Sequence, residues 1–68
     1  MQTLNERFAS RIKSAQIALW SVSDKMDPED LKTAESEIKR ANESTVNSTR
    51  HASVLTAEIL IRRYGAQI

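Results

Sequence analysis

The first apolar pattern in the chain has the spacing of one face of an α-helix. From Leu4 to Met26, apolar residues recur at intervals of four, four, three, four, three and four. At 100° per residue they share a stripe about 80° wide, which predicts one buried helix face. Thr3 and Glu6 have the spacing of a capping box, so the helix is expected to begin at Leu4. The stripe consists of Leu4, Phe8, Ile12, Ala15, Leu19, Val22 and Met26.

The segment "MDPED" predicts the end of this helix and the start of the next. Asp27 is a favoured N-cap residue, and Pro28 fits the first helical position, where its missing amide costs nothing. Met26 and Leu31 have the spacing of a hydrophobic staple. A turn is therefore expected at residues 26–28.

A second pattern runs from Leu31 to Ile59 without a slip in its alternating intervals of three and four. Such heptad spacing predicts one long helix whose seam packs against a neighbour. Gly65, which follows two arginines and a tyrosine, is placed where a helix ends. The seam consists of Leu31, Ala34, Ile38, Ala41, Thr45, Ser48, Ala52, Leu55 and Ile59.

These patterns predict a single all-α domain over residues 1–68, an antiparallel helical hairpin with helices at about 4–25 and 28–64. The alternative is a three-helix bundle with a break near 43–48, where "ESTVNS" offers β-branched residues and side chains that compete for backbone hydrogen bonds. In this segment, no Glu or Gln lies three residues after a candidate N-cap residue. The capping box that would start a third helix is therefore missing, which favours the continuous helix. The intrachain seam is predicted to contain Leu4, Phe8, Ile12, Leu19, Val22, Leu31, Ile38, Leu55 and Ile59.

In the hairpin, the second helix spans about 55 Å and the first about 33 Å, so the second helix extends beyond the first. The overhang, residues 51–64, is the most apolar segment and carries a second apolar face, which we expect another chain to cover. Ile17 and Trp20 point away from the main stripe and form a candidate contact patch. The predicted self-association or partner interface comprises Ile17, Trp20, Val46, Val54, Ala57, Leu60, Ile61 and Tyr64.

The composition argues against a catalytic, metal or cofactor site. The chain has no cysteine and one histidine, so no catalytic, metal or cofactor site is expected. The net charge is +1, with an acidic segment between two mildly basic ones rather than one basic face, which argues against a nucleic-acid binder. No stretch is apolar enough for a membrane span. His51 is expected to be a polar surface residue or a pH-sensitive contact, and Glu58 to pair with Arg62 on the same helix.

The capped first helix, the proline turn and the longer second helix resemble the needle and inner-rod subunits of bacterial type III secretion systems. Asp27, Pro28, Leu31, Ile38 and Asn42 have spacings similar to that family's turn and early second helix. The resemblance implies a helical-hairpin subunit that polymerises into a hollow filament and is exported without a cleaved signal.

Two functional hypotheses follow from the sequence. One is a self-assembling structural subunit whose partner is the protein itself. The other is a small helical protein-binding module, a chaperone, adaptor or regulator, that acts as a dimer or as a heterodimer with another helical protein and would be cytoplasmic.

Overall fold

The structure, a computed structural model, describes residues 3–68, and within them it is all-helical. The three α-helices are α1 (Leu4–Val22), α2 (Pro28–Glu43) and α3 (Asn47–Arg63), and a 3-10 turn (Ser23–Lys25) follows α1. The all-α class predicted from the sequence is confirmed.

Both predicted helix starts are present, with different capping chemistry. The Thr3 hydroxyl accepts a hydrogen bond from the Glu6 amide at 3.2 Å, as the capping box predicts. Asp27 is the N-cap of α2 and Pro28 occupies the first turn, but the Asp27 side chain makes no capping bond. Its backbone amide donates instead to the Tyr64 hydroxyl at 3.3 Å.

The continuous helix expected over 28–64 is wrong, because α2 ends at Glu43 and α3 begins at Asn47. Ser44 and Val46 both have extended backbone angles. The Ser44 hydroxyl accepts a hydrogen bond from the Val46 amide at 3.1 Å, a local bond that competes with the helical pattern. The chain therefore breaks at a serine, although no Gly, Pro or capping box marks the position.

The outer dimensions of the described residues reflect this break. Their longest principal extent is 35 Å. A straight helix over 28–64 would be about 55 Å long at 1.5 Å per residue. The overhang expected beyond a shorter first helix is therefore not formed.

All three helices contribute side chains to one buried cluster. Leu19 of α1 and Val54 and Ile61 of α3 are its largest fully buried side chains. Fully buried alanines on every helix allow the backbones to approach closely, because a methyl group occupies little space between two helices. These alanines are Ala15, Ala34, Ala41 and Ala57.

The face that α3 turns to the core differs from the predicted seam. Leu55 and Ile59 are 36% and 46% exposed, so they do not belong to the intrachain seam. Val54, Ala57 and Ile61, which were expected to face another chain, are fully buried in the core. The extended backbone at 44–46 removes the fixed 100° step that would have carried the heptad register from α2 into α3, so α3 settles with a different face inward.

The other residues predicted for the seam and the interface differ in how far they are buried. In α1, the stripe is buried from Phe8 onward, whereas Leu4 in the first turn is 53% exposed and borders a surface cleft. In α2, Ile38 is buried and Leu31 is half-buried against the core. Leu60 and Tyr64, expected in an interface with another chain, also pack against the core cluster.

Candidate interaction surfaces

The large hydrophobic side chains left in solvent lie outside α2. On α1, Ile17 is 53% and Trp20 is 67% exposed, and both project away from the buried stripe. The other exposed members are Leu4 on α1, Val46 between α2 and α3, Leu55 and Ile59 on α3, and Ile68. Of the predicted interface residues, the structure thus leaves Ile17, Trp20 and Val46 accessible.

A partly buried ion pair joins α1 to α3. Arg11 donates to both carboxylate oxygens of Glu58, from Nε to Oε2 at 3.0 Å and from Nη2 to Oε1 at 2.6 Å. Glu58 is only 4% exposed, whereas the Arg11 side chain is 31% exposed. The hydrogen bond from Arg11 to Glu58 raises the pKa of Arg11 further, so its positive charge is permanent.

The pairing of Glu58 with Arg62 expected from the sequence is wrong, whereas His51 is exposed, as a polar surface residue is expected to be. The bidentate partner of Glu58 is Arg11, 47 positions away. The Nη1 of Arg11 lies 2.9 Å from Nδ1 of His51. Because a guanidinium group only donates, Nδ1 must accept, and a neutral His51 then carries its proton on Nε2. His51 and Glu58 are seven residues apart, and that spacing is the only sequence signal that they share a helix face.

Arg50 connects all three helices. Its Nε donates to the Ala41 carbonyl oxygen in the last turn of α2 at 3.2 Å, and its Nη1 donates to Asn5 Oδ1 at 3.0 Å. Its guanidinium carbon lies 4.8 Å from the centre of the Phe8 ring, a cation–π distance. The residue therefore caps the end of α2 while packing on α1, which explains how a polar segment can hold the fold together.

Tyr64 closes the opposite end of the molecule. Its hydroxyl donates to Asp30 Oδ2 at 2.5 Å and accepts from the Asp27 amide at 3.3 Å. The bond to Asp30 is the main reason that the pKa of Tyr64 is raised, because it holds the phenol proton in place. Tyr64 thus ties the end of α3 to the start of α2.

A cleft of about 230 Å³ lies between the first half of α1 and the start of α3. Phe8, which is 9% exposed, contributes its apolar part. The other residues around it are Leu4, Arg7, Arg11 and His51. Leu55 and Ile59 follow His51 at intervals of four residues, so all three lie on the same side of α3.

Within residues 3–68, no group of three or more His, Asp or Glu side chains is arranged to hold a metal ion. No helix in the same range combines the length and apolar character needed to cross a membrane.

Comparisons with protein-family models, with curated proteins and with solved structures returned no match. The resemblance to secretion needle and inner-rod subunits therefore stays a prediction.

Proposed function

We propose that this protein is a non-enzymatic helical protein-binding module, folded as a three-helix bundle, that binds a partner through the outward sides of α1 and α3. The bundle is supported by a core to which every helix contributes and by the Arg50 contacts that reach all three helices. Such a core needs no partner to cover Val54, Ala57 and Ile61, because they are already buried within the chain.

The distribution of exposed hydrophobic side chains is the observation that carries the proposal. Trp20 is 67% exposed and Ile17, one turn earlier, is 53% exposed, while α2 leaves no large hydrophobic side chain in water. Tryptophan is enriched among the residues that dominate binding energy in protein interfaces. An asymmetric surface of this kind favours binding by α1 and α3 with α2 facing solvent.

Self-assembly is a second form of the same proposal. Ile17 and Trp20 remain available for contact between copies, as a filament subunit would require. The C-terminal half of the interface expected for such a filament is largely buried, since Val54, Ala57 and Ile61 lie in the core. Of the predicted interface, Ile17 and Trp20 of α1 and Val46 before α3 are the exposed residues that such self-association, including a secretion-needle role, would use.

Site-specific photo-crosslinking tests the binding proposal. A photoreactive phenylalanine analogue would replace Trp20 in one variant, Ile59 in a second and the exposed Ser36 of α2 in a control. After irradiation in the cells that make the protein, we expect adducts of defined mass at Trp20 or Ile59 and not at Ser36. Equal adducts at all three positions, or none at any, would refute the proposal.

Sedimentation over a concentration series separates the two forms. A mass that rises with concentration in the unmodified protein, but not in a Trp20→Ser variant, would identify α1 as a self-association surface. A constant monomer mass, together with crosslinks to a different protein, would identify a module for another partner. Lys32→Ser is the matched control, since it alters an exposed position of α2.

A further inference from the structure

The side of the molecule formed by α1 and α3 combines exposed aliphatic and basic residues. We refer to Leu4, Arg7, Leu55, Ile59, Arg62 and Arg63 as the α1–α3 face. Leu55 and Ile59 are adjacent on the surface of α3 because they are four residues apart, and Arg62 and Arg63 follow Ile59 by three and four residues. All six residues are exposed.

Acidic side chains are missing from this face for a structural reason. Helices α1 and α3 contain one carboxylate each, Glu6 and Glu58. Glu58 is buried and bound by Arg11, and at 100° per residue Glu6 points about 150° away from the cleft-lining side of α1. The α1–α3 face therefore presents positive charge without an exposed carboxylate from either helix.

The cleft beside Leu4 and Arg7 has a size that suits a protein side chain. Its volume of about 230 Å³ is below the range of about 300–1,000 Å³ that is usual for small-molecule pockets. Phe8 supplies an apolar surface inside it, while Arg7, Arg11 and His51 supply its polar edge. An aliphatic side chain projecting from a neighbouring helix would bury apolar surface there.

We propose that the α1–α3 face binds an amphipathic helix of another protein, with aliphatic side chains on its contact side and Asp or Glu along its edges. This inference rests on the proposed binding function and names the chemistry of the partner. Aliphatic residues would cover Leu55 and Ile59 and enter the cleft, and the carboxylates would pair with Arg7, Arg62 and Arg63. Opposite charges at the rim of an interface select the partner and accelerate association.

A second copy of this chain fits the face less well. Its acidic helix is α2, which carries five carboxylates against three cationic side chains. The outward side of α2 offers no large exposed hydrophobic side chain to cover Leu55 and Ile59. Charge attraction without matching apolar surface gives weak association in salt, so a different helix is the better occupant.

Two synthetic helical peptides provide the test. Both have about 18 residues, or five turns, and the same leucine stripe, and they carry either glutamate or lysine at the flanking positions. Fluorescence anisotropy with the intact protein is expected to show about 10-fold or greater preference for the glutamate peptide, declining as salt is raised. Equal affinity for the two peptides would overturn the inference.

Protein variants locate the binding site. Ile59→Ser and Arg63→Glu should each weaken glutamate-peptide binding by about 10-fold, because one removes apolar contact and the other reverses a charge. Lys32→Glu on α2 is the charge-reversal control and should leave the affinity unchanged. Circular dichroism of each variant checks folding, and loss of binding in Lys32→Glu equal to that in Arg63→Glu would refute the assignment to this face.

The outcomes separate the inference from the proposed function. Crosslinks at Trp20 combined with no peptide preference would overturn the acidic-helix partner and leave the binding module intact. Binding to phosphatidylserine vesicles but to neither peptide would overturn the inference in favour of an anionic membrane surface. Peptide-independent self-association that is lost in Ile59→Ser would assign the face to a second copy.

Discussion

The Nε of Arg50 in α3 donates a hydrogen bond across 3.2 Å to the Ala41 carbonyl oxygen in α2. Ala41 lies in the last turn of α2, where helical carbonyls have no partner within their own helix. One side chain from the following helix thus stabilises the end of the preceding one. This contact helps to explain how the chain reverses at Ser44–Val46 without a glycine.

Replacing Arg50 tests that contact. Arg50→Ala should lower the free energy of unfolding by about 2 kcal/mol, since it removes two hydrogen bonds from a charged group and the stacking on Phe8. Arg50→Lys should lose part of this amount, because an ammonium group lacks the planar fork that reaches two partners. Urea denaturation measures both changes. Arg63→Ala, at an exposed position, is the control and should change stability by less than about 0.5 kcal/mol.

The orientation of α3 can be tested by two matched substitutions. Ile61→Ala should destabilise the protein by about 2–5 kcal/mol, because Ile61 is fully buried and its truncation leaves a cavity. Ile59→Ala should cost less than about 1 kcal/mol, since that side chain is 46% exposed. If the heptad seam continued through α3, Ile59→Ala would destabilise the protein more than Ile61→Ala. Thermal or urea unfolding of the two variants decides between these arrangements.

The Arg11–Glu58 pair should show strong coupling. Arg11→Met removes the bidentate partner of a carboxylate that is 4% exposed, so we expect a loss of about 3 kcal/mol. Glu58→Leu should cost less, about 1–2 kcal/mol, because the Arg11 side chain is 31% exposed and can be hydrated. The double variant should be more stable than Arg11→Met alone. Additive losses in this double-mutant cycle would show that the pair contributes no interaction energy.

Tyr64 should make stability depend on alkaline pH. Its pKa is raised in the folded protein, chiefly by the bond to Asp30, relative to about 10 in an unfolded chain. A raised folded pKa means that the contribution is complete below the unfolded pKa and is lost as pH rises through the folded pKa. The difference in unfolding free energy between the native protein and Tyr64→Phe should therefore shrink above about pH 10. A constant difference across that range would contradict the Tyr64–Asp30 bond.

Local sequence signals predicted much of the secondary structure, but they gave the helix break near 43–48 only as the alternative to a continuous helix. Thr3 and Pro28 marked two helix starts, because caps and proline act through bonds within one turn. The break at Ser44 had only weak signals, namely β-branched residues and a serine that can bond its own backbone. Because the heptad spacing continues through residues 44–46, the sequence pattern favoured an unbroken helix.

The candidate surface was partly visible in the sequence. Ile17 and Trp20 could be predicted to face outward, because their angle from the α1 stripe follows from helical geometry alone. Leu55 and Ile59 could not, since their exposure depends on how α3 is rotated after the break. The association of His51 with Arg11, 40 positions away, likewise requires two helices to be placed side by side.

The sequence by itself determined the helical class, the start and buried face of α1, and the turn at Met26–Pro28, because each rests on interactions within a few residues or on the fixed helical period. Only the tertiary structure decided which face of α3 is buried. Residues 44–46 interrupt the period, and the rotation of the next helix is then selected by packing of Val54 and Ile61 and by the long-range bonds of Arg11 and Arg50. Those interactions join residues that are far apart in the sequence, so the spacing of apolar residues cannot predict the rotation of α3.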